Sequence, residues 1–439
     1  MLNFELQLVR WSGLGEAQRR QMLRRPASRQ PDMKASVSGI IEQVQTSGDA
    51  AIRELTLQFD GVEPRAFALE PDTLQAAAQQ ADPSLLQAIR DASARIEAFH
   101  SADIPVDRSV ETAPGLNCQV RYQALSPVGL YIPGGSAPLV STVLMLAIPA
   151  RLAGCRDVVM FSPPGRSGQI AGEVLAAAQL CGVDRVFCAG GAQAIAAMAY
   201  GTESVPRCSK IFGPGNAWVT EAKQQVSQDP QGAAIDMPAG PSEVLVIADQ
   251  SAHPEFIAWD LMSQAEHGPD SQVILLTDSE GLASAVIERL TALAPGTARA
   301  AILGQSLAEA RIIVVDSIAG ALVLSNDYAP EHLIINTENA AELAPQVEHA
   351  GSVFIGPWTP ESLGDYCSGT NHVLPTYGWA RSHGALGVGD FMRRMTFQQA
   401  SRSALEQVGP TAETLAAVEG LQAHGMAVSA RLAQQGDSS

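Results

Sequence analysis

The feature that most constrains this chain is a repeated unit in its middle: a short apolar run, a loop rich in glycine or proline, then a helix-like stretch. VGLYI (Val128–Ile132) ends in Pro133-Gly134-Gly135 and leads to a helical pattern over Thr142–Leu152. DVVMF (Asp157–Phe161) is followed by a Pro-Gly loop and the Ala-rich stretch Ile170–Leu180. RVFCA (Arg185–Ala189) gives way to Gly190-Gly191 and Ala192–Tyr200. KIF (Lys210–Phe212) gives way to Gly213-Pro214-Gly215-Asn216 and Trp218–Ser227. The period, roughly 25–30 residues, is that of βαβ units. Apolar runs without alternation predict strands covered on both faces, hence parallel sheet. After Pro238 the pattern continues in VLVIA (Val244–Ala248), VILLT (Val273–Thr277), RIIVV (Arg311–Val315), HLII (His332–Ile335) and SVFI (Ser352–Ile355).

The flanks read differently. Met1 to about Arg25 suggests a short helical arm with a basic surface. Ser36 to about Phe99 spaces its apolar residues at three and four, as helices do. Beyond about Ala385 the chain turns helical again and ends in a polar tail. The expectation is an α/β protein with two Rossmann-like parallel-sheet lobes and helical terminal segments. Its divisions are an arm at 1–25, a first lobe of 26–127 with 239–384, a second lobe at 128–238, and a tail at 385–439. The length of 439 residues suits about two to four domains.

Charge and composition exclude some functions. With 28 basic against 46 acidic residues the net charge is −18, which repels phosphate backbones and argues against nucleic acid as a partner. The longest apolar run, Val143–Ala150, is short and contains Pro149, so no membrane span is expected. The N-terminus lacks a charged-then-apolar signal pattern. Cys118, Cys155, Cys181, Cys188, Cys208 and Cys367 form no CxxC pair, and most lie in apolar stretches. They read as reduced packing residues of a cytoplasmic protein.

Three glycine-rich loops follow predicted strands: IPGGSAP, AGGAQA and FGPGNA. Parallel sheets bind ligands beyond the carboxyl ends of their strands. Glycine lets the backbone approach a pyrophosphate, and the next helix offers free N–H groups. None of the loops is GxGxxG, and one alone is only a turn. Three in successive units point to a nucleotide.

The chemistry-bearing residues are scattered. In SQAEHG, Gln264 and His267 are three apart and share a helix face. Taken alone, His267 reads as a capping cation at a helix C-terminus rather than a ligand. APEHL sets Glu331 and His332 side by side at the start of a strand, as an acid and a base. GDYCSGTNH holds Asp365 and His372 in a glycine-rich loop, built for function or for turns. Glu419 and His424 lie in a helical stretch, roughly 140° apart around its axis, and read as solvated polar residues. A zinc site needs about four N, O or S donors, and no local signature such as HExxH supplies them.

Taken together, long strings of this chain resemble histidinol dehydrogenase from about Arg24 to Arg431. They include VGLYIPGGSAPLVSTVLMLAIPARLAGC, GGAQAIAAMAYGTESVP, KIFGPGNAWVTEAK, AIDMPAGPSEVLVIAD, SQAEHGPDSQVILLT, APEHLII and ESLGDYCSGTNHVLPT. The resemblance implies oxidation of L-histidinol to L-histidine through histidinaldehyde with two NAD+, the last steps of histidine biosynthesis. It implies one zinc per subunit on Gln264, His267, Asp365 and, from the partner of an intertwined homodimer, His424. Substrate contacts would be Ser242, Gln264, His267, His332, Asp365, His372, Glu419 and His424; NAD contacts would be Tyr131, Gln193 and Asn216. Glu331 would activate water, and His332 would act as base. Glutamine is unusual as a zinc ligand, so Gln264 rests on the resemblance alone. The stretch WARSHGALGVGDF and the tail after His424 match more loosely, and His383 reads as surface. Three rival readings share features: a relative acting on another small alcohol, a silent zinc-binding dimer, and an aldehyde dehydrogenase with a nucleophilic cysteine. His372 and Glu419 suit a cationic imidazole amine, which separates the first rival from histidinol oxidation.

Overall fold

The apolar runs without alternation become strands whose side chains alternate between two separate cores. The computed structural model describes residues 6–25, 32–134, 137–238 and 240–434. One sheet has the order β1 (Leu8–Arg10), β12 (Arg311–Val314), β11 (Gln272–Thr277), β10 (Glu243–Ala248), β13 (His332–Asn336), β14 (Ser352–Ile355), with every pair parallel. Val244 and Val246 enter one core, and Leu245 and Ile247 the other. Val273 and Leu275 alternate likewise with Ile274 and Leu276. The helices α9 (Pro254–Ala265), α10 (Glu280–Leu293) and α11 (Ala300–Ser306) contribute to the first core. The second takes residues from α12 (Ile318–Tyr328) and α13 (Ala340–Leu343). The short helices α1 (Glu16–Met22) and α14 (Glu361–Tyr366) lie before β10 and after β14 in the chain.

The other six-stranded sheet has the order β2 (Ala68–Leu69), β7 (Arg185–Cys188), β6 (Val158–Ser162), β5 (Val128–Tyr131), β8 (Lys210–Phe212), β9 (Ala234–Ile235). Only β2 is antiparallel. Its helices are α2 (Met33–Asp60), α3 (Pro71–Gln80), α4 (Pro83–Ser101), α5 (Val140–Ala153), α6 (Gly172–Cys181), α7 (Gly191–Tyr200) and α8 (Ala217–Gln228). Val37, Ile41, Val44 and Ile52 of α2 share one core with Ile195 of α7, Val219 of α8 and Phe161 and Phe187 of the sheet.

Both expected parallel sheets are therefore present, but the flanks group differently from the sequence reading. Residues of 33–101 were assigned to the lobe of β10–β14; β2 instead pairs with β7, and the apolar face of α2 is buried on α7. The arm is not purely helical, because Leu8–Arg10 extends the edge of the other sheet beside β12. The stretch after Ala385 is not purely helical either. Met392–Ala400 is a strand, β15, paired antiparallel with β4 (Leu116–Ala124), which pairs in turn with β3 (Arg108–Ala113). These strands have one or both faces exposed and lack the apolar runs that marked the others. The chain divides into two units: Met1–Asp103 with Ser126–Phe391, and Ile104–Leu125 with Met392–Ser439. The second holds β3, β4, β15, α15 (Arg402–Val418) and α16 (Gln422–Ala433). Among the described residues no helix is long and apolar enough to cross a membrane.

Chain order reverses beside β5: β6 and β7 lie on one side, β8 and β9 on the other. Such a switch point opens a crevice at the carboxyl ends of the strands. Gly213 closes β8 there with φ +118, and a Cβ on it would stand 2.2 Å from the Tyr131 carbonyl oxygen. Gly213→Ala should therefore cost about 3 kcal/mol through backbone strain and overpacking. Urea unfolding of the variant against the parent chain measures this, and an unchanged midpoint would contradict the close approach.

Candidate active site

Two clefts in the larger unit are lined by some of the residues singled out in the sequence. One, of about 590 Å³, lies at the switch point and is lined by Tyr131, Gly134, Gly191, Gln193, Asn216 and Trp218 among others. The three expected nucleotide contacts thus come together. Tyr131 ends β5, and its hydroxyl accepts the Gly191 N–H at 3.0 Å. Gln193, in the first turn of α7, is buried, and its amide oxygen has no hydrogen-bond partner. The Asn216 side chain caps α8, accepting from the N–H groups of Trp218 and Val219 at 3.1 Å. Of the first loop, Gly135 and Ser136 lie outside the described residues.

The GPGN loop is held from beneath by a pair that the sequence reading did not notice. Lys223 and Asp236 form a buried ion pair. The Lys223 ammonium donates to the Gly213 carbonyl at 2.9 Å, and Asp236 accepts the Gly213 N–H at 2.7 Å.

The second cleft, of about 710 Å³, is lined from both sheets: Gly215 and Asn216 after β8, Ser242 before β10, and His267 after α9. Ser242 leads into β10, whose amino end lies beside that of β13. There the register sets Val244 opposite His332, so that Glu243 and Glu331, the residues before them, are neighbours. Glu331 accepts the Glu243 N–H at 2.8 Å. His332 Nδ1 lies 3.1 Å from the Glu243 carbonyl oxygen, which can only accept. The Nδ1 proton is thereby fixed, and Nε2 keeps its lone pair when the ring is neutral. Among the described residues Nε2 faces Asp365 Oδ1 at 3.5 Å and makes no closer polar contact.

Asp365 is on α14 rather than in a loop. His372, in the loop beyond, places its Nδ1 2.9 Å from the Asp365 carbonyl oxygen and its Nε2 3.4 Å from Thr142 Oγ1. Gln264 is buried in the last turn of α9, with His267 two residues past the helix end. Ligating atoms of His267, Glu361 and Asp365 lie within 4.8 Å of one another. The Gln264 amide joins this group: its nitrogen donates to Glu361, and its oxygen shares the Glu243 N–H at 3.0 Å.

Glu361 is the main residue the sequence reading missed. It starts α14 and is 1 % exposed, and its Oε2 is buried without a partner. Only its place four residues before Asp365, one helical turn away, marks it in the sequence.

The electrostatics follow from burial. Desolvation pushes Glu331 up to about 8, against the pull of His332 and the Glu243 N–H. Glu361 is raised well above the carboxylate range, again chiefly by burial. Burial works against charge on His332, but the carboxylates of Glu361, Glu331 and Asp365 outweigh it and push the imidazole up to about 10. Asp365 is held low despite burial, by the imidazoles of His332, His372 and His267. A buried carboxylate oxygen without a partner among so many acids calls for a cation. The donors are nitrogen and oxygen, as Zn²⁺, Mn²⁺ or Co²⁺ would take. The residues fit such an ion.

Glu419 and His424 belong to the second unit and are exposed. They do not share one helix as expected. Gly420, at φ +73, ends α15, and the Leu421 N–H returns to the Ala416 carbonyl at 2.8 Å. Among the described residues no cysteine is in a disulfide, and burial pushes the thiols of Cys181, Cys188 and Cys208 up to about 12, which leaves these three unsuited as nucleophiles.

Comparison with known proteins places the chain in a family. The histidinol dehydrogenase family model matches residues 23–432. A histidinol dehydrogenase of Vibrio parahaemolyticus serotype O3:K6 is 51% identical over 428 residues, covering 97% of this chain and 98% of the relative. One of Salmonella typhimurium is 54% identical, covering 97% of each. The crystal structure of the histidinol dehydrogenase from Elizabethkingia anophelis superposes with a TM-score of 0.92 at 42% identity, covering 98% of both chains. The chain belongs to the histidinol dehydrogenase family.

Proposed function

We propose that this chain oxidises L-histidinol to L-histidine through histidinaldehyde, with two NAD+ and one zinc per subunit, at the end of histidine biosynthesis. The observation that carries the reading is the junction at His332. A buried imidazole faces Asp365 with its Nε2 at 3.5 Å, and Asp365 belongs to a cation-ready group with His267 and Glu361.

Gln264, His267 and Asp365 would hold the metal, with Glu361 beside them. When bound, the ion supplies a Lewis-acid anchor for the substrate's amine and imidazole nitrogens, and NAD supplies the hydride acceptor. Tyr131, Gln193 and Asn216 hold the nucleotide. Ser242 and His372 line the substrate's place. A cation held by the group around Asp365 would offset the carboxylates that hold His332 protonated; Nε2 of the neutral ring would then take the hydroxyl proton as hydride leaves the carbinol carbon for NAD, with its Nδ1–H kept on the Glu243 carbonyl. In the second oxidation Glu331 removes a proton from the water that attacks the aldehyde. Burial raises its proton affinity, so its ionised form is a stronger base toward water than an exposed carboxylate. Water as nucleophile leaves the thiols without a role.

A second copy of the chain completes the site by supplying His424 to the metal and Glu419 to the cationic substrate. Their exposure supports such a donation. Reduced cysteines support a cytoplasmic enzyme.

The direct test follows NADH formed from L-histidinol. About two NADH per histidinol are expected, stopped by a chelator and restored by zinc. No NADH with zinc present would mean another substrate, and the roles of His372 and Glu419 would fall first. Two variants separate the steps. His332→Ala should slow both oxidations by about 100-fold or more. Glu331→Gln should slow oxidation of supplied aldehyde far more than that of alcohol; equal losses would remove its role with water. Glu361→Gln should weaken zinc retention by about 10- to 100-fold in chelator competition. Unchanged retention would remove Glu361 from the metal's surroundings.

A further inference from the structure

We infer that Arg25, on the N-terminal arm, is a positioning residue for the His332–Glu331 pair and acts through the main chain of Glu243. This rests on the roles given above to His332 and Glu331.

The described part of the arm is docked at both ends. β1 pairs with β12, and Arg311 donates to the carbonyls of Met22 and, at 2.6 Å, Arg24. Arg25 then turns inward. Its Nε and Nη2 grip the Glu243 carboxylate at 2.7 and 3.0 Å, and Nη2 also donates to the carbonyls of Tyr328 at 2.9 Å and Ala329 at 3.2 Å. The guanidinium lies over the Tyr328 ring, 3.8 Å from its centroid. Glu243 is 1 % exposed. It also accepts from the Tyr328 hydroxyl at 2.8 Å and the Tyr377 N–H at 2.9 Å, and Arg25 is its only salt-bridge partner among the described residues.

The main chain of this same residue holds the reacting pair, through its N–H to Glu331 and its carbonyl to His332 Nδ1. Side chain and main chain of Glu243 thus couple the arm to both groups across a single residue. Without Arg25 a buried carboxylate loses its cation. The start of β10 then shifts, and the Glu243 N–H and carbonyl no longer aim as before. A planar fork with two donors on one carboxylate is specific to arginine; lysine keeps the charge without the geometry. Arg25 also lines the 710 Å³ cleft, so a small cation can reach its place from solvent.

The test uses full-length, zinc-loaded enzyme with L-histidinol and, separately, with the aldehyde. Arg25→Ala should lower kcat for both substrates by about 10- to 100-fold, with KM for NAD changed by less than about twofold. Millimolar guanidinium should restore part of that kcat, and the same concentration of ammonium should restore less. A role confined to folding would not respond to guanidinium. Should Arg25→Ala fail to fold, Arg25→Lys serves, with a smaller loss in kcat at an unchanged thermal midpoint. Wild-type kcat in the alanine or lysine variant overturns the inference, as does a loss that guanidinium does not relieve. Wild-type enzyme that forms no NADH from histidinol overturns the substrate reading instead, so the two failures are distinct.

Discussion

Putting carboxylates into a protein interior is the constraint on which the site depends. Glu243, Glu331 and Glu361 are all buried, and Asp365 is nearly so. An ionised carboxylate loses most of its hydration there, and only a cation or several donors can offset the loss. Each acid meets that demand differently. Glu243 has Arg25, a tyrosine hydroxyl and a backbone N–H. Glu331 has the Glu243 N–H and the neighbouring imidazole. Asp365 has three imidazoles around it. Glu361 has the Gln264 amide on one oxygen and nothing on the other. The incompleteness is local, and it lies beside His267 and Asp365, where a divalent ion would remove it.

The fold determines where these acids meet. In a doubly wound sheet ligands bind at the carboxyl ends of strands, and the 590 Å³ cleft lies where that rule puts it. Glu331 and His332 do not follow it, since they stand at the amino end of β13 beside the amino end of β10. Neighbouring parallel strands that start in register bring their first residues together. That placement gives one residue, Glu243, hydrogen bonds to both partners. The 710 Å³ cleft joins the carboxyl end of β8, at Gly215 and Asn216, to Ser242 at the amino end of β10 and to His267.

Much of this was legible in the sequence, for a physical reason. Strands such as VLVIA and VILLT are buried on both faces, and their composition records it. Turn glycines such as Gly213 are visible because no other residue tolerates the conformation. The half-exposed strands β3, β4 and β15 carry no such record, and nor does the edge strand β1, which is only three residues long. Among site residues, those in long distinctive strings were found by resemblance. Glu361 and Arg25 were not, because an acid at a helix start and an arginine in a basic arm have ordinary surface explanations. Their function arises from contacts made across the chain, Arg25 with Glu243 218 positions away, and a sequence carries no local mark of that.

The same charge logic accounts for the glutamine. Two carboxylates, those of Glu361 and Asp365, already match the charge of a divalent cation. A third acid at position 264 would add a negative charge to a buried group that lacks room for one, since Glu331 and Glu361 are each already raised by burial. A neutral amide donates an oxygen without that burden. It also carries N–H groups, one of which is given to Glu361. That bond decides which end of the amide faces the acid, and so leaves the oxygen on the other side with a free lone pair. In the role proposed for it, Gln264 would depart from the common zinc donors by being a ligand that is also a hydrogen-bond donor to its neighbour.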